Sequence, residues 1–268
     1  MDEQSKVNAI VNIGQMKVVE KAYDDLIGPP AKNVGTALST IIDLGNTVLW
    51  PIKWVNERTR IYFQANLKKY EERLNNIPEK YITEVPTEIS MPVLQRFTYV
   101  SNEELSNAFV KLLTSASSIE TISKAHPGFI YLIDRLSPDE ARILTYLKNK
   151  KDIPRIDIVF HEDPSKSTFV HIALNVTSLQ KAVNLDNPQN IDLYFDNLVS
   201  LGLIRLVDWY HTNLEEEYKE LENSMKEIIQ EYKKEGVEDK VFDKQITIEK
   251  QMYLVSEYGQ MFLDASID

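Results

Sequence analysis

The 268-residue sequence contains no cysteine, four histidines and only eight glycines. The absence of cysteine excludes disulfides, thiolate zinc sites, iron–sulfur clusters and cysteine nucleophiles, and it suits a reducing cytoplasm. The glycines form neither GxGxxG nor GxxxxGKS/T, which excludes phosphate-binding loops of the Rossmann and P-loop types. The histidines show neither HExxH nor a paired metal-ligand spacing. We therefore expect no metal site, no cofactor and no catalytic residue, and so a protein that is not an enzyme.

The start of the chain lacks the features of a secretory signal. Residues Met1–Gln4 are acidic and polar, without the positively charged and apolar regions of a signal peptide. Apolar residues make up 43% of the chain and charged residues 26%, which is typical of a globular protein. The sequence therefore predicts a soluble, cytoplasmic protein, with association with the membrane surface as an alternative.

The net charge of −11 belongs entirely to the later part of the chain. Residues 1–100 carry 12 acidic and 12 basic side chains, whereas residues 101–268 carry 29 acidic and 18 basic ones. Nonspecific binding of nucleic acid requires basic side chains that neutralise phosphates. The charge of the later part therefore argues against DNA or RNA as its partner.

The stretch Asn33–Ile52 has Asp43 as its only charge, and its apolar residues recur at helical spacing. A length of about 20 residues suffices to span a bilayer, but the many polar side chains in this stretch argue against a stable transmembrane helix. An ordinary buried helix and a helix lying on an anionic membrane surface are the alternatives. The candidate membrane or partner surface consists of Leu49, Trp50, Ile52 and Trp54.

Prolines and helix caps divide the chain into two regions. Pro78, Pro86 and Pro92 predict an extended connector that follows a polar helix. Further helices are expected to begin at Ser101–Glu104 and at Ser137–Glu140, where capping side chains precede acidic ones. We predict a helical N-terminal region over residues 1–97 and a second domain over residues 98–268.

The elements of the second domain follow the order of a winged helix. They are a strand at Ile156–Phe160, a helix at Asn190–Leu201, a strand at Leu203–Val207 and a strand at Gln245–Val255. The predicted fold class is mainly α (α+β), with a winged-helix-like C-terminal module whose β-hairpin wing carries a helical insertion at 213–240. The helix at the position of a recognition helix contains two aspartates and no lysine or arginine. Specific DNA binding is therefore disfavoured, and a protein contact is favoured.

The insertion contains apolar residues in a heptad pattern. The residues, separated by 4, 3, 4, 3 and 4 positions, are Leu214, Tyr218, Leu221, Met225, Ile228 and Tyr232. One interpretation is an amphipathic helix that lies on the protein's own body. The other is a candidate partner seam, which forms a coiled coil with a second copy or another protein.

Two Arg-x5-His pairs are the remaining candidates for chemistry. They are Arg155 with His161 and Arg205 with His211. HEPN-type ribonucleases place an arginine and a histidine at similar spacing on a helix, where both face the scissile phosphate. Both pairs here lie in β-branched or strand-like runs, so we expect the spacing to be coincidental.

Short motifs occur along most of the chain. They are Ile77–Glu79, Met91–Leu94, Asn102–Leu105, Leu112–Ala116, His126–Phe129, Leu136–Ala141, Tyr194–Leu198, Leu201–Ile204 and Tyr258–Phe262. In order and spacing they resemble the Abi-alpha (abortive infection alpha) family of bacterial proteins. The resemblance implies a role in bacteriophage resistance, in which an infected cell stops growing or dies before phage progeny are released. It supplies no catalytic residue.

The leading hypothesis is an antiviral defence protein of the abortive-infection type that acts through protein or membrane contact. Its expected partner is another protein, a phage component or a second copy of the chain. Two alternatives stay open at this point: a HEPN-like or other nuclease toxin, and a winged-helix transcriptional regulator.

Overall fold

The computed structural model describes residues 57–161, 169–235 and 246–268. In this part of the chain, helices predominate and four strands form one antiparallel sheet, in agreement with the predicted α+β class. The structure divides into two compact units, one ending at Arg135 and one comprising Leu136–Ile267. The helices on both sides of residue 97 pack together and belong to the first of these units.

The described residues of the first unit pack around a central helix. Between residues 57 and 135 the helices are α1 (Glu57–Leu74), α2 (Thr87–Phe97), α3 (Glu103–Ala116) and α4 (Gly128–Asp134). Helix α3 packs against the other three and begins at the predicted cap, where the Asn102 side chain accepts a hydrogen bond from the Leu105 backbone nitrogen at 3.1 Å. Fully buried aromatic side chains fill the space between the helices: Tyr70, Phe97, Phe109 and Phe129.

Helix α2 contradicts the prediction of an extended connector. It begins after Pro86 and contains Pro92 in its interior. An interior proline costs a helix about 3 kcal/mol, which favoured the connector. However, Ile89, Val93 and Phe97 recur every four residues and are buried at 2% exposure or less. Burial of such side chains stabilises by about 1.5–3 kcal/mol each, which offsets the cost of the proline.

The second unit contains the sheet. Its elements are α5 (Pro138–Lys150), β1 (Asp152–His161), β2 (Phe169–Val176), α6 (Leu179–Ala182), α7 (Ile191–Ser200), β3 (Ile204–Val207), α8 (Glu215–Ser224), α9 (Lys226–Glu235), β4 (Ile246–Val255) and α10 (Glu257–Ser266). The strand order is β2-β1-β4-β3, and all neighbours are antiparallel. Strand β1 contains its predicted segment, and β3 and β4 match the predicted strands from Ile204 and Ile246 onward, whereas β2 was not predicted.

Local sequence explains where the helices of this unit begin and end. Ser137 and Glu140 form a capping box, in which each side chain accepts a hydrogen bond from the other residue's backbone nitrogen. Helix α7 is followed by Gly202 at a φ of +71°, a conformation that favours glycine. A Cβ on Gly259 would lie 2.0 Å from the Leu203 carbonyl oxygen, so only glycine allows α10 to approach the chain here.

The two faces of the sheet contact different helices. Because side chains alternate along a strand, Ile156 and Met252 lie on one face and Arg155 and Tyr253 on the other. The first face packs against α8 and is called the α8 side. The second is the α7 side, because the Tyr253 ring stacks on Phe195 of α7 with a 4.2 Å centroid separation.

Candidate functional site

The candidate partner seam is mostly covered by the sheet. Its first four residues share a buried cluster with side chains of β1 and β4; the members are Leu214, Tyr218, Leu221 and Met225, with Ile156, Ile158 and Met252. The Tyr218 hydroxyl also donates to the Gln251 carbonyl oxygen at 2.6 Å. These four side chains are therefore unavailable to a partner, because α8 lies on the protein's own body.

The remainder of the seam differs from the predicted continuous helix. Helix α8 ends at Ser224 and α9 starts at Lys226, so the heptad is interrupted at Met225. Ile228 is 41% exposed. The side chain of Tyr232 lies outside the described residues. The heptad residues up to Met225 therefore face the sheet, whereas Ile228 is exposed.

Two lysines fix the edges of α8 to the body of the unit. Lys150 donates to Glu217 at 2.5 Å, and Lys250 donates to Glu222 at 3.0 Å and to Glu215 at 3.1 Å. Burial lowers the pKa of each lysine, but the hydrogen bonds and charge interactions with the glutamates, joined at Lys150 by those with Tyr146, together outweigh burial and raise the pKa. The charged form of each lysine is thus stabilised where α8 contacts the sheet.

The two residues of the first Arg-x5-His pair are far apart because they lie along one extended strand. Arg155 and His161 lie at opposite ends of a β1 segment that spans about 20 Å, at about 3.4 Å per residue. Arg155 is buried, and its guanidinium donates to Asp157 and, at 3.0 Å, to the Tyr253 hydroxyl. His161 Nε2 lies 3.1 Å from Thr247 Oγ1. The two side chains do not face a common point, as a ribonuclease site of this type requires.

The second Arg-x5-His pair also lacks the helical placement that the motif requires. Arg205 lies within β3, and His211 precedes the short 3-10 turn that leads into α8. The His211 ring packs edge-on against Trp209, with the centroids 5.3 Å apart. Both side chains are exposed. The coincidental spacing expected from the sequence fits the geometry of both pairs.

A buried polar network connects β1 to the exposed start of α7. Asp157 accepts from the backbone nitrogen of Asn175 at 2.9 Å, and the Asn175 side chain accepts from Tyr253 at 2.8 Å. The same side chain donates to Asp192 of α7 at 2.7 Å. Asn175 has a φ of +52°, which asparagine tolerates better than most residues. The buried Arg155–Asp157 pair therefore fixes, through one asparagine, an acidic side chain at the surface.

Asp139 fixes the turn that precedes α7. It is 2% exposed and accepts from the backbone nitrogens of Asp186 and Asn187 at 2.8 and 2.9 Å, and from the Tyr194 hydroxyl at 2.7 Å. Burial raises the pKa of Asp139, but these hydrogen bonds and the positive charge of Arg142 together outweigh burial and lower the pKa. Burial and the bond to Asp139 raise the pKa of Tyr194 to about 12. The charged carboxylate thus orders the approach to α7.

Helix α7 leaves apolar side chains uncovered. Its inward face buries Ile191, Tyr194, Phe195 and Leu198. On its outer side, Leu193 is 63% exposed and Val199 is 40% exposed. Both side chains are flanked by acidic groups, because Asp192 and Asp196 are exposed on the same helix.

Strand β3 adds one further apolar side chain beside this helix. Leu206 is 43% exposed and lies opposite Tyr253, on the α7 side of the sheet. Its neighbour Arg205 points to the α8 side, since side chains alternate along the strand. We define the α7 surface as Asp192, Leu193, Asp196, Val199 and Leu206. The sequence identified the acids of this helix, but Leu193, Val199 and Leu206 were not predicted to form a surface.

The described residues contain neither a metal-binding cluster nor a membrane-spanning helix. Among residues 57–161, 169–235 and 246–268, no group of three or more histidine, aspartate or glutamate side chains is placed to bind a metal ion. No helix in that described part is long and apolar enough to cross a membrane. The candidate membrane or partner surface at Leu49, Trp50, Ile52 and Trp54 lies outside the described residues.

The fold defines a mainly helical α+β protein with one four-stranded antiparallel sheet. Residues 62–266 match the model of the abortive infection alpha family, so the chain belongs to that family. No curated protein matches the chain. It is similar to a solved structure of an uncharacterized protein from the hydrocarbon-degrading marine bacterium Alcanivorax borkumensis SK2, with 17% identity and a TM-score of 0.33. That similarity covers 55% of this chain and 95% of the other.

Proposed function

We propose that this protein protects bacteria from phage by abortive infection and that it acts through contact with another protein, without catalysis. Membership of the abortive infection alpha family supports the defence role. The observation that carries the contact mechanism is the α7 surface, where a helix with a well-packed inner face leaves Leu193 and Val199 exposed.

We further propose that the second unit is a winged helix with an additional edge strand. The chain order α5, β1, α6, α7, β3, β4 and the sheet order β1-β4-β3 support this assignment. Strand β2 is then the addition, and α8 and α9 form the insertion between the two wing strands. Helix α7 takes the place of the recognition helix. Its exposed Asp192 and Asp196 would repel a phosphate backbone, which favours a protein partner.

A nuclease is the second candidate function, and the geometry of its best candidate residues disfavours it. The guanidinium of Arg155 is engaged by Asp157 and Tyr253 and is buried. An arginine that stabilises a scissile phosphate must present its N–H groups to the substrate. Removal of the His161 and His211 side chains therefore distinguishes a nuclease from a protein that acts without catalysis.

The experiment expresses the chain in a phage-sensitive host and measures the efficiency of plating after infection. The His161→Ala/His211→Ala variant is compared with His126→Ala, a histidine change in the first unit. We expect both variants to protect as well as the unchanged protein, because none of the three histidines acts in catalysis. Total RNA extracted during infection should stay intact until the cells stop growing.

Loss of protection by the His161→Ala/His211→Ala protein, with circular dichroism and melting temperature unchanged, would contradict the non-catalytic mechanism. RNA fragments that accumulate before growth arrest would contradict it independently. The regulator alternative predicts binding to promoter DNA that weakens steeply with salt. We expect no such binding at low salt in an electrophoretic mobility assay.

A further inference from the structure

The exposed apolar residues of the α7 surface belong to one helix and to the strand that follows it. Leu193 and Val199 lie on one helix, and Leu206 lies on the strand that this helix contacts. Leu206 pairs with Tyr253, so its side chain lies on the α7 side of the sheet. Exposed apolar side chains that are bordered by polar groups are typical of protein contact sites.

One acid of this surface is held in place from inside the protein. Asp192 accepts a hydrogen bond from Asn175, which is fixed in turn by Asp157 and Tyr253. Removal of two charges from water is costly, so a buried arginine–aspartate pair is weak evidence for stability by itself. Here the pair fixes the orientation of a surface carboxylate. A contact group that is ordered before binding loses less entropy when a partner arrives.

The charge of the surface has one sign. Helix α7 contains Asp192 and Asp196 and no basic residue. The nearest base in sequence, Arg205, lies on the opposite side of the sheet, because it pairs with Leu254 and not with Tyr253. An approaching surface therefore meets apolar side chains flanked by carboxylates.

We infer that the α7 surface docks a protein whose contact surface has an apolar pocket for Leu193 bordered by lysine or arginine side chains. This inference rests on the protein-contact function proposed above. A second copy of the chain fits poorly, since it would place Asp192 and Asp196 opposite the same acids across a two-fold axis. Nucleic acid fits poorly for the same electrostatic reason. Opposite charge also accelerates the encounter of two proteins, so the acids contribute to recognition as well as to register.

The test uses the full chain with a photo-crosslinking amino acid in place of Leu193, in infected cells. A chain with the same amino acid in place of Ile119, an exposed residue of the first unit, is the control. We expect position 193 to give a crosslinked protein product, and we expect position 119 to give no product of the same mass. The double variant Asp192→Asn/Asp196→Asn should reduce the crosslink and the efficiency of protection about tenfold.

The matched charge control lies on the helix of the other sheet face. Glu216→Gln/Glu220→Gln removes two exposed acids with the same four-residue spacing, from α8. It should leave both crosslinking and protection unchanged. The partner's lysine or arginine nearest the crosslink is then changed to glutamate. Binding should be lost with the unchanged chain and restored with Asp192→Lys/Asp196→Lys.

A crosslink to a second copy of the chain, a crosslink to nucleic acid, or full protection by Asp192→Asn/Asp196→Asn would each overturn the inference. None of them bears on the two histidines, so the proposed non-catalytic function is judged separately by His161→Ala/His211→Ala. Equal losses from the α7 and the α8 charge variants would also overturn the inference, because the effect would then depend on total charge and not on this surface.

Discussion

Helices α7 and α8 lie on opposite sides of the same sheet and differ in how completely they are buried. Helix α8 buries Tyr218 and Leu221 against β1 and β4, and its outer positions are charged. Helix α7 also buries a full apolar face, but Leu193 and Val199 stay exposed on its outer side. The packing of α8 is completed within the chain, whereas α7 retains apolar surface that its own unit does not cover.

The two sides are also held by different interactions. On the α8 side, apolar side chains form the contact and two lysines bind glutamates at its edge. On the α7 side, a buried ion pair and Asn175 lead to Asp192 at the surface. Apolar packing supplies stability without orienting a particular surface side chain. A hydrogen-bonded network orients such a side chain, at some cost in stability. The α7 side is therefore the one built to position side chains.

The largest expected effect comes from breaking the ion pair of the α7 side. Asp157→Ala leaves the buried Arg155 charge uncompensated and should lower the free energy of unfolding by about 3–5 kcal/mol. Urea denaturation followed by circular dichroism measures the change. The control Arg155→Met/Asp157→Leu replaces both charges by apolar groups and should recover most of the stability. If the double variant is stable but does not protect cells from phage, the polar network around Arg155 and Asp157 serves to position α7. If the double variant protects fully, the network has only a structural role.

A leucine-to-alanine change should lower the stability of the protein much more on α8 than on α7. Leu221→Ala removes a side chain that is 4% exposed, and we expect a loss of about 2–5 kcal/mol in the free energy of unfolding. Leu193→Ala removes one that is 63% exposed and should change the free energy of unfolding by less than about 0.5 kcal/mol. Urea denaturation of both variants gives the comparison. Equal losses would show that α7 is covered as completely as α8.

Asp139 should make the α7 side sensitive to acid. Because its pKa is lowered by folding, its charge stabilises the folded state above the ordinary aspartate pKa of about 3.9, and this contribution is lost as the pH falls through the folded-state value. Asp139→Asn should lower the free energy of unfolding by about 1.5–3 kcal/mol near neutral pH. The difference between the two proteins should narrow below pH of about 4. A difference that is constant from neutral to acidic pH would contradict the role of the charge.

The smallest expected effect concerns the edge of α8. Glu217→Gln removes an ion pair with Lys150 whose side chains are both about one-third exposed, and it should cost about 0.2–1 kcal/mol. Added salt should reduce the difference in melting temperature between this variant and the unchanged protein. A loss as large as that of Leu221→Ala would mean that α8 is held mainly by charge.

The sequence predicted elements that are defined locally. The cap at Ser137, the end of α7 at Gly202 and the buried face of α8 depend on side chains a few residues apart, and all three are confirmed. Strand β2 was not predicted, because an edge strand is recognised by its neighbour β1 more than by its own pattern. Helix α2 was not predicted because a proline penalty is visible in sequence and the burial that offsets it is not.

The candidate surface was only partly predictable. The aspartates of α7 are visible in the sequence, and they directed the interpretation from DNA towards protein contact. Helical periodicity places Leu198 on the inward face and Leu193 off it, but it cannot show that Leu193 stays uncovered, because exposure depends on what the rest of the chain covers. The link from Asp157 through Asn175 to Asp192 joins residues from three elements, so no local pattern contains it.

The most direct test that the α7 surface is needed for protection is the efficiency of plating of phage. It is measured on cells that express Leu193→Asp or Ile228→Asp. Both changes place a carboxylate at an exposed apolar position of the same unit, the first on α7 and the second on α9. We predict that Leu193→Asp loses protection while the protein stays folded, and that Ile228→Asp protects fully. Full protection by Leu193→Asp together with loss by Ile228→Asp would contradict this account and move the contact to the insertion.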